Sequence, residues 1–129
     1  MIASNATNQY MRNKILTASP AELTLMLYDG CIKFCNIAIR DIQSKNLSGA
    51  HTNIMKAERI INEFRSTLNH KYPVAKDFDN VYIYLERRMV EANIAKDPEI
   101  LSECVEHLRT MRDTWVEVMK SQGGAASKR

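Results

Sequence analysis

Apolar residues along this chain of 129 residues recur at helical spacing. In residues 48–69, Ile54, Ala57, Ile61, Phe64 and Leu68 follow one another at steps of three and four, with Lys56, Arg59, Glu63 and Ser66 opposite. That pattern predicts one buried stripe and one solvated face. Residues 98–121 repeat it with Leu101, Cys104, Val105, Leu108, Met111, Trp115 and Val118 or Met119. Two other segments carry more apolar surface than one stripe accounts for. In residues 20–44, a step of about 100° per residue puts Leu23, Met26, Leu27, Gly30, Phe34 and Ala38 on one face and Leu25, Tyr28, Ile32 and Ile39 on a second. In residues 74–96, Phe78, Val81, Tyr82, Leu85, Met89 and Ala92 form a core face, and Ile83, Tyr84, Val90 and Ile94 lie off it. A bundle core needs one face per helix. The second set in each of these helices is therefore expected to be free for a partner.

Punctuation separates the segments. Ser19-Pro20-Ala21-Glu22 reads as an N-cap, a proline at N1 and a capping-box glutamate at N3. Lys45-Asn46-Leu47 is a short connection, with Ser48 the expected cap of the next helix. Tyr72-Pro73 interrupts the pattern, Asp97-Pro98 starts the last helix, and Gly123-Gly124 stops it. Four helices of roughly 22–25 residues joined by short turns fold back on their neighbours, so the expected class is all-α, an antiparallel up-down-up-down four-helix bundle. The expected organisation is an N-terminal flexible or cap segment over 1–19, the bundle over 20–121 and a disordered tail over 122–129. Residues 1–9 are polar and small and are expected to be disordered. Residues 10–18 hold Tyr10, Met11, Ile15 and Leu16, too few for a stable helix alone, and are expected to lie against the bundle.

Composition narrows the function. The net charge is +3, and Lys128 and Arg129 in the tail supply two of those charges. The basic residues are scattered, which argues against nucleic acid as a partner. No apolar run reaches the ~18 residues of a membrane span, and residues 1–14 lack a signal core, so the expectation is a cytoplasmic protein without membrane insertion. Cys31, Cys35 and Cys104 lack metal or redox spacing and read as reduced, small core residues. The Glu-x-x-His pairs of a di-iron bundle are absent, and His51, His70 and His107 fall on different segments. Glu103 and His107, four apart, read as a surface contact. Nucleophile and phosphate motifs are missing as well. No enzyme activity, metal or cofactor is expected. Seven Met and five Tyr suit a surface that grips a partner helix.

The segment containing Tyr10, Ile15-Leu16-Thr17-Ala18-Ser19-Pro20 and Glu22-Leu23-Thr24-Leu25-Met26-Leu27-Tyr28-Asp29-Gly30 resembles the opening of the flagellin-specific export chaperones, the FliS family. Lys56-Ala57-Glu58-Arg59-Ile60-Ile61-Asn62-Glu63 and Thr67-Leu68-Asn69 resemble the family's second helix, Tyr84, Ala92 and Asn93 its third, and Leu108-Arg109 with Arg112-Asp113-Thr114-Trp115 its fourth. Cys35 and Asn36 depart slightly from the pattern. The resemblance implies a client, the C-terminal segment of flagellin, disordered as a monomer and bound one to one. Binding would prevent premature polymerisation and aid flagellar type III export. An export-gate component or a co-chaperone would be a further partner. The expected contact residues are Leu25, Tyr28, Ile32, Ile83, Tyr84 and Ile94 from the second faces, with Tyr10, Ile15 and Leu16 from the N-terminal segment. By family analogy Tyr10 and its neighbours cap part of the client groove or contact the client and other partners; Tyr10, Ile15 and Leu16 are expected to cover apolar surface in the free protein and to move when the client binds. The alternative is a helical scaffold or adaptor that homodimerises through the same apolar surface.

Overall fold

The computed structural model describes residues 2–122. They form α1 (Ile2–Thr17), α2 (Pro20–Gln43), α3 (Leu47–Thr67), α4 (Ala75–Ala95) and α5 (Pro98–Gln122), with no strand among the described residues. The Gly123-Gly124 stop and the tail after it lie outside the described residues.

Local chemistry sets the helix ends. The Glu22 amide donates to the Ser19 hydroxyl at 3.2 Å, and the Ser19 amide donates to the Glu22 carboxylate at 3.2 Å. This is the capping box, with Pro20 at N1 as expected. Between α2 and α3 the cap is Asn46, not Ser48. Lys45 adopts a left-handed φ of 65°, which turns the chain back at once, so the Gly49 amide reaches Asn46 Oδ1 at 3.1 Å. Lys96 (φ 51°) makes the matching reversal before α5, and Asp97 Oδ1 accepts from the Glu99 amide at 2.9 Å.

Helix α2 packs on α3 and α5, and so does α4, which leaves α2 and α4 across a diagonal. Side-chain pairs show each neighbouring couple to be antiparallel. Asp41 meets Asn53 while Cys31 meets Ala57; Arg65 meets Asp79 while His51 meets Asn93. Arg88 bonds Glu103 while Tyr84 contacts His107, and Trp115 reaches Ala21 while Arg112 reaches Asp29. The core stripes of α3 and α5 are those the spacing predicts. Ile54, Ala57, Ile61 and Phe64 are buried on α3; Leu101, Cys104, Val105, Leu108, Met111 and Trp115 are buried on α5. On α4, Tyr82, Leu85, Met89 and Ala92 are buried as expected.

Helix α2 is turned differently from the expectation. Its buried residues are Ala21, Tyr28, Cys31, Ile32, Cys35 and Ala38. Tyr28 and Ile32, expected on the outer face, are in the core. Leu23, Met26, Leu27 and Phe34, expected inside, are only half-buried. Two physical causes decide the phase. Small residues at 21, 31, 35 and 38 let α2 approach its neighbours closely. Tyr28 can be fully buried because its hydroxyl meets that of Tyr82, on the diagonal helix, at 2.6 Å. Phe64 lies between the two rings, with centroids 4.4 Å from Tyr28 and 5.3 Å from Tyr82.

The N-terminal segment also differs. It is a helix from Ile2, 16 residues long, and it does not pack extensively on the bundle. Ala3 and Ala6 are strong helix formers and favour the helical course before Tyr10. Tyr10, Met11, Ile15 and Leu16 point in several directions around it, so no stripe exists for the bundle to bury. Tyr10 is 65% exposed and Leu16 74%.

The tyrosine pair yields a test. Tyr28→Phe or Tyr82→Phe alone removes the 2.6 Å partner of a buried hydroxyl and is expected to cost about 1–3 kcal/mol in urea denaturation. The double variant is expected to cost less than the sum of the single ones, because the two hydroxyls are lost together.

Candidate partner-binding surface

The outer surface of the bundle is sorted by helix. On α4 the core takes Tyr82, Leu85, Met89 and Ala92, which turns Ile83, Arg87, Val90 and Ile94 outward. Ile83 is 44% exposed, Val90 45% and Ile94 82%. They form one ridge with spacing i, i+7, i+11 and with Arg87 inside it. On α2 the rotation found above turns Leu23, Met26, Gly30 and Ile37 outward, all half-buried. None of those three large side chains packs against the buried core cluster. The outward residues of α3 and α5 are mainly polar: Thr52, Lys56, Arg59, Asn62 and Glu63 on one, Ser102, Glu106, Arg109, Asp113 and Glu117 on the other. Two apolar ridges therefore stand on diagonal helices, separated by polar flanks.

The expected contact residues divide accordingly. Ile83 and Ile94 lie on the α4 ridge, as the pattern suggests. Leu25 is half-buried and packs against the core cluster. Tyr28 and Ile32 have no outward surface to offer, being 1% and 7% exposed. Tyr10, Ile15 and Leu16 are exposed on α1, which does not pack extensively on the bundle. Leu23 and Met26, expected in the core, and Ile37 lie on the outward side of α2. The signal for them was the run of small residues at 21, 31, 35 and 38, which marks the packed side of α2.

Tyr84 holds helices together instead of presenting a free ring. Its hydroxyl donates to Glu103 across the α4–α5 seam. Arg88 Nε donates to the same carboxylate at 3.0 Å, and His107 Nε2 lies 3.3 Å from it. The Arg87 guanidinium covers the Tyr84 ring 5.3 Å from its centroid, and His107 meets that ring edge-on. The hydrogen bond from Tyr84, followed by those from Arg88 and His107, holds the Glu103 carboxyl below its usual range.

A cavity of about 30 Å³ between Thr24, Thr67, Phe78 and Trp115 has room for one water-sized group. Among the described residues no group of His, Cys, Asp and Glu is arranged to hold a metal. All three cysteines are buried. Burial pushes the Cys104 thiol up to about 12, and a hydrogen bond with Cys35 together with burial raises Cys31, so both stay neutral and pack as small residues.

The family model described as "Flagellar protein FliS" matches residues 3–122. The chain belongs to the FliS family. It is 36% identical to the flagellar secretion chaperone FliS of Bacillus subtilis (strain 168) over 122 residues, 95% of this chain and 92% of that one. It is 28% identical to the Escherichia coli (strain K12) protein of the same description, covering 94% of each. A crystal structure of a bacterial flagellar chaperone superposes with a TM-score of 0.75, covering 92% of this chain and 98% of the other at 19% identity. That likeness establishes a shared helical fold. Membership makes this FliS-family chain a chaperone of flagellar assembly and export. Among the described residues no helix is long and apolar enough to cross a membrane.

The Glu103 cluster gives a pH-dependent prediction. A carboxyl depressed in the folded state stabilises the fold above its unfolded pKa of about 4.3, and that stabilisation is lost as pH falls through the lower folded value. Tyr84→Phe removes the largest cause of the depression. The variant is expected to denature at lower urea than the parent at neutral pH. The gap should close progressively below about pH 4. A gap that persists unchanged in acid would assign the loss to packing instead.

Proposed function

We propose that this protein works in the cytoplasm and binds the C-terminal segment of flagellin, one client per bundle. Binding prevents premature polymerisation and keeps the subunit competent for flagellar type III export. The observation that carries this reading is the pair of outward apolar ridges on the diagonal helices α2 and α4. A compact partner rests on one face. A chain that is disordered when free can lie on one ridge, cross a polar flank and reach the other. Such a chain must lose conformational freedom, at roughly 2–5 kcal/mol or more, and needs several large apolar contacts to offset it. Covering a fully exposed isoleucine or methionine contributes about 1.5–3 kcal/mol; most of these side chains are already part-covered and contribute less, so contacts on both ridges offset that loss better than contacts on one. The bundle adds little further cost, because its interior is closed and its seams are bonded.

Helix α1 extends the surface. Tyr10, Ile15 and Leu16 are solvent-exposed on the helix that precedes α2. In this reading they close over the client.

Two measurements test the proposal. Flagellin from the same genome is mixed with the protein and sized by chromatography with light scattering. A 1:1 complex is expected, and none with flagellin lacking its C-terminal segment. A complex that survives the deletion, or a free protein already dimeric through α4, removes the reading. The variant Ile83→Asp/Ile94→Asp is expected to unfold within about 0.5 kcal/mol of the parent, since both side chains are exposed. Its affinity for flagellin should fall at least about tenfold, as expected for central apolar anchors.

A further inference from the structure

The α2–α3 seam carries an electrostatic asymmetry that shape alone does not use. Its floor is apolar: Leu27 and Phe34 on α2 and Ile60 on α3 are half-buried against the core, and Ile60 lies beside Gly30. A Cβ built on Gly30 would stand 3.6 Å from Ile60 Cδ1, an ordinary contact, so the glycine lets the two helices approach closely at this point of the seam. Two ammonium groups flank the half-buried Phe34 ring. Lys33 Nζ is 5.7 Å from its centroid and Lys56 Nζ 5.4 Å. Both lysines are exposed, and among the described residues neither has a carboxylate within ion-pair distance. Arg59, one turn from Lys56, is likewise without one.

The nearby carboxylates are committed elsewhere. Glu22 closes the capping box, Asp29 holds Arg112 at 3.1 Å and Asp41 accepts from Asn53 at 3.2 Å. Glu63 stands two helical turns beyond Lys56. The seam thus has an apolar floor and an uncompensated cation on each bank, one from α2 and one from α3.

We propose that this groove takes an amphipathic helix of the client whose apolar stripe is flanked by carboxylates on both sides. The proposal rests on the client reading for the source of that helix, but the charge preference belongs to the groove. Each lysine is held near an aromatic face, which limits the freedom it loses on pairing. An apolar stripe laid in the groove brings flanking side chains to both banks. Carboxylates there form two ion pairs; lysines or arginines there meet like charge, so the groove selects by repulsion as well as attraction.

The test uses two designed peptides with the same apolar face, one flanked by glutamates and the other by lysines, together with the C-terminal segment of flagellin. Binding is measured by calorimetry to the parent, to Lys33→Glu/Lys56→Glu and to the charge control Glu106→Lys on α5. The parent and the control are expected to prefer the glutamate peptide by roughly three- to tenfold, the range of two exposed ion pairs. The double variant is expected to prefer the lysine peptide. Circular dichroism confirms that it folds, and both positions are exposed. Equal binding of the two peptides to the parent, or a preference that does not invert in the double variant, overturns the proposal. Flagellin bound equally by the parent and the double variant also overturns it, and leaves the client reading standing. Flagellin ignored by the parent removes the client reading, while the peptide preference still decides the groove.

Discussion

The Tyr28–Tyr82 hydroxyl pair fixes the rotation of the helix on which the surface depends. It joins α2 to α4 across the diagonal of the bundle, at 2.6 Å, with Phe64 between the rings. A tyrosine can be buried this completely only when its polar tip is bonded. Placing Tyr28 inside takes Cys31, Ile32, Cys35 and Ala38 inside with it, because they share its side of the helix. The same rotation turns Leu23, Met26, Gly30 and Ile37 outward. This buried hydrogen bond, together with the small residues on the same side of α2, thereby sets both the packing of the interior and the chemistry of an exterior face.

The arrangement suits a protein that holds an unfolded client. Neighbouring helices are tied at their seams by Arg65 with Asp79 and Glu86, by Arg88 with Glu103 and by Arg112 with Asp29. Such exposed pairs contribute little stability singly. They do fix where polar side chains lie, and so they define the hydrophilic flanks between two apolar ridges. A client that needs both ridges must be long and unfolded, and this excludes compact proteins that present a single patch. Helix α1 is apolar in several directions and does not pack extensively on the bundle.

Charge refines what shape allows. The ridges attract any apolar segment, whereas Lys33 and Lys56 beside Phe34 discriminate among them. Membership in the FliS family was legible in the motif around Ser19-Pro20 and Asp29-Gly30, and the match over residues 3–122 bears it out. The family's motifs did not reveal which side of α2 those residues turn to the core.

Sequence alone determined the four bundle helices, two of their caps, the core stripes of α3, α4 and α5, and the outward position of Ile83 and Ile94. Those features are local, set by spacing and by cap chemistry within one helix. Only the tertiary structure decided the rotation of α2, because two apolar faces compete there and the winner depends on contacts with other helices: the room for small residues against α3 and α5, and the hydroxyl of Tyr82. Tyr84 was decided in the same way, since its carboxylate partner Glu103 lies on another helix. The course of α1 was missed for the opposite reason. A helix whose apolar residues share no stripe gives no periodic signal.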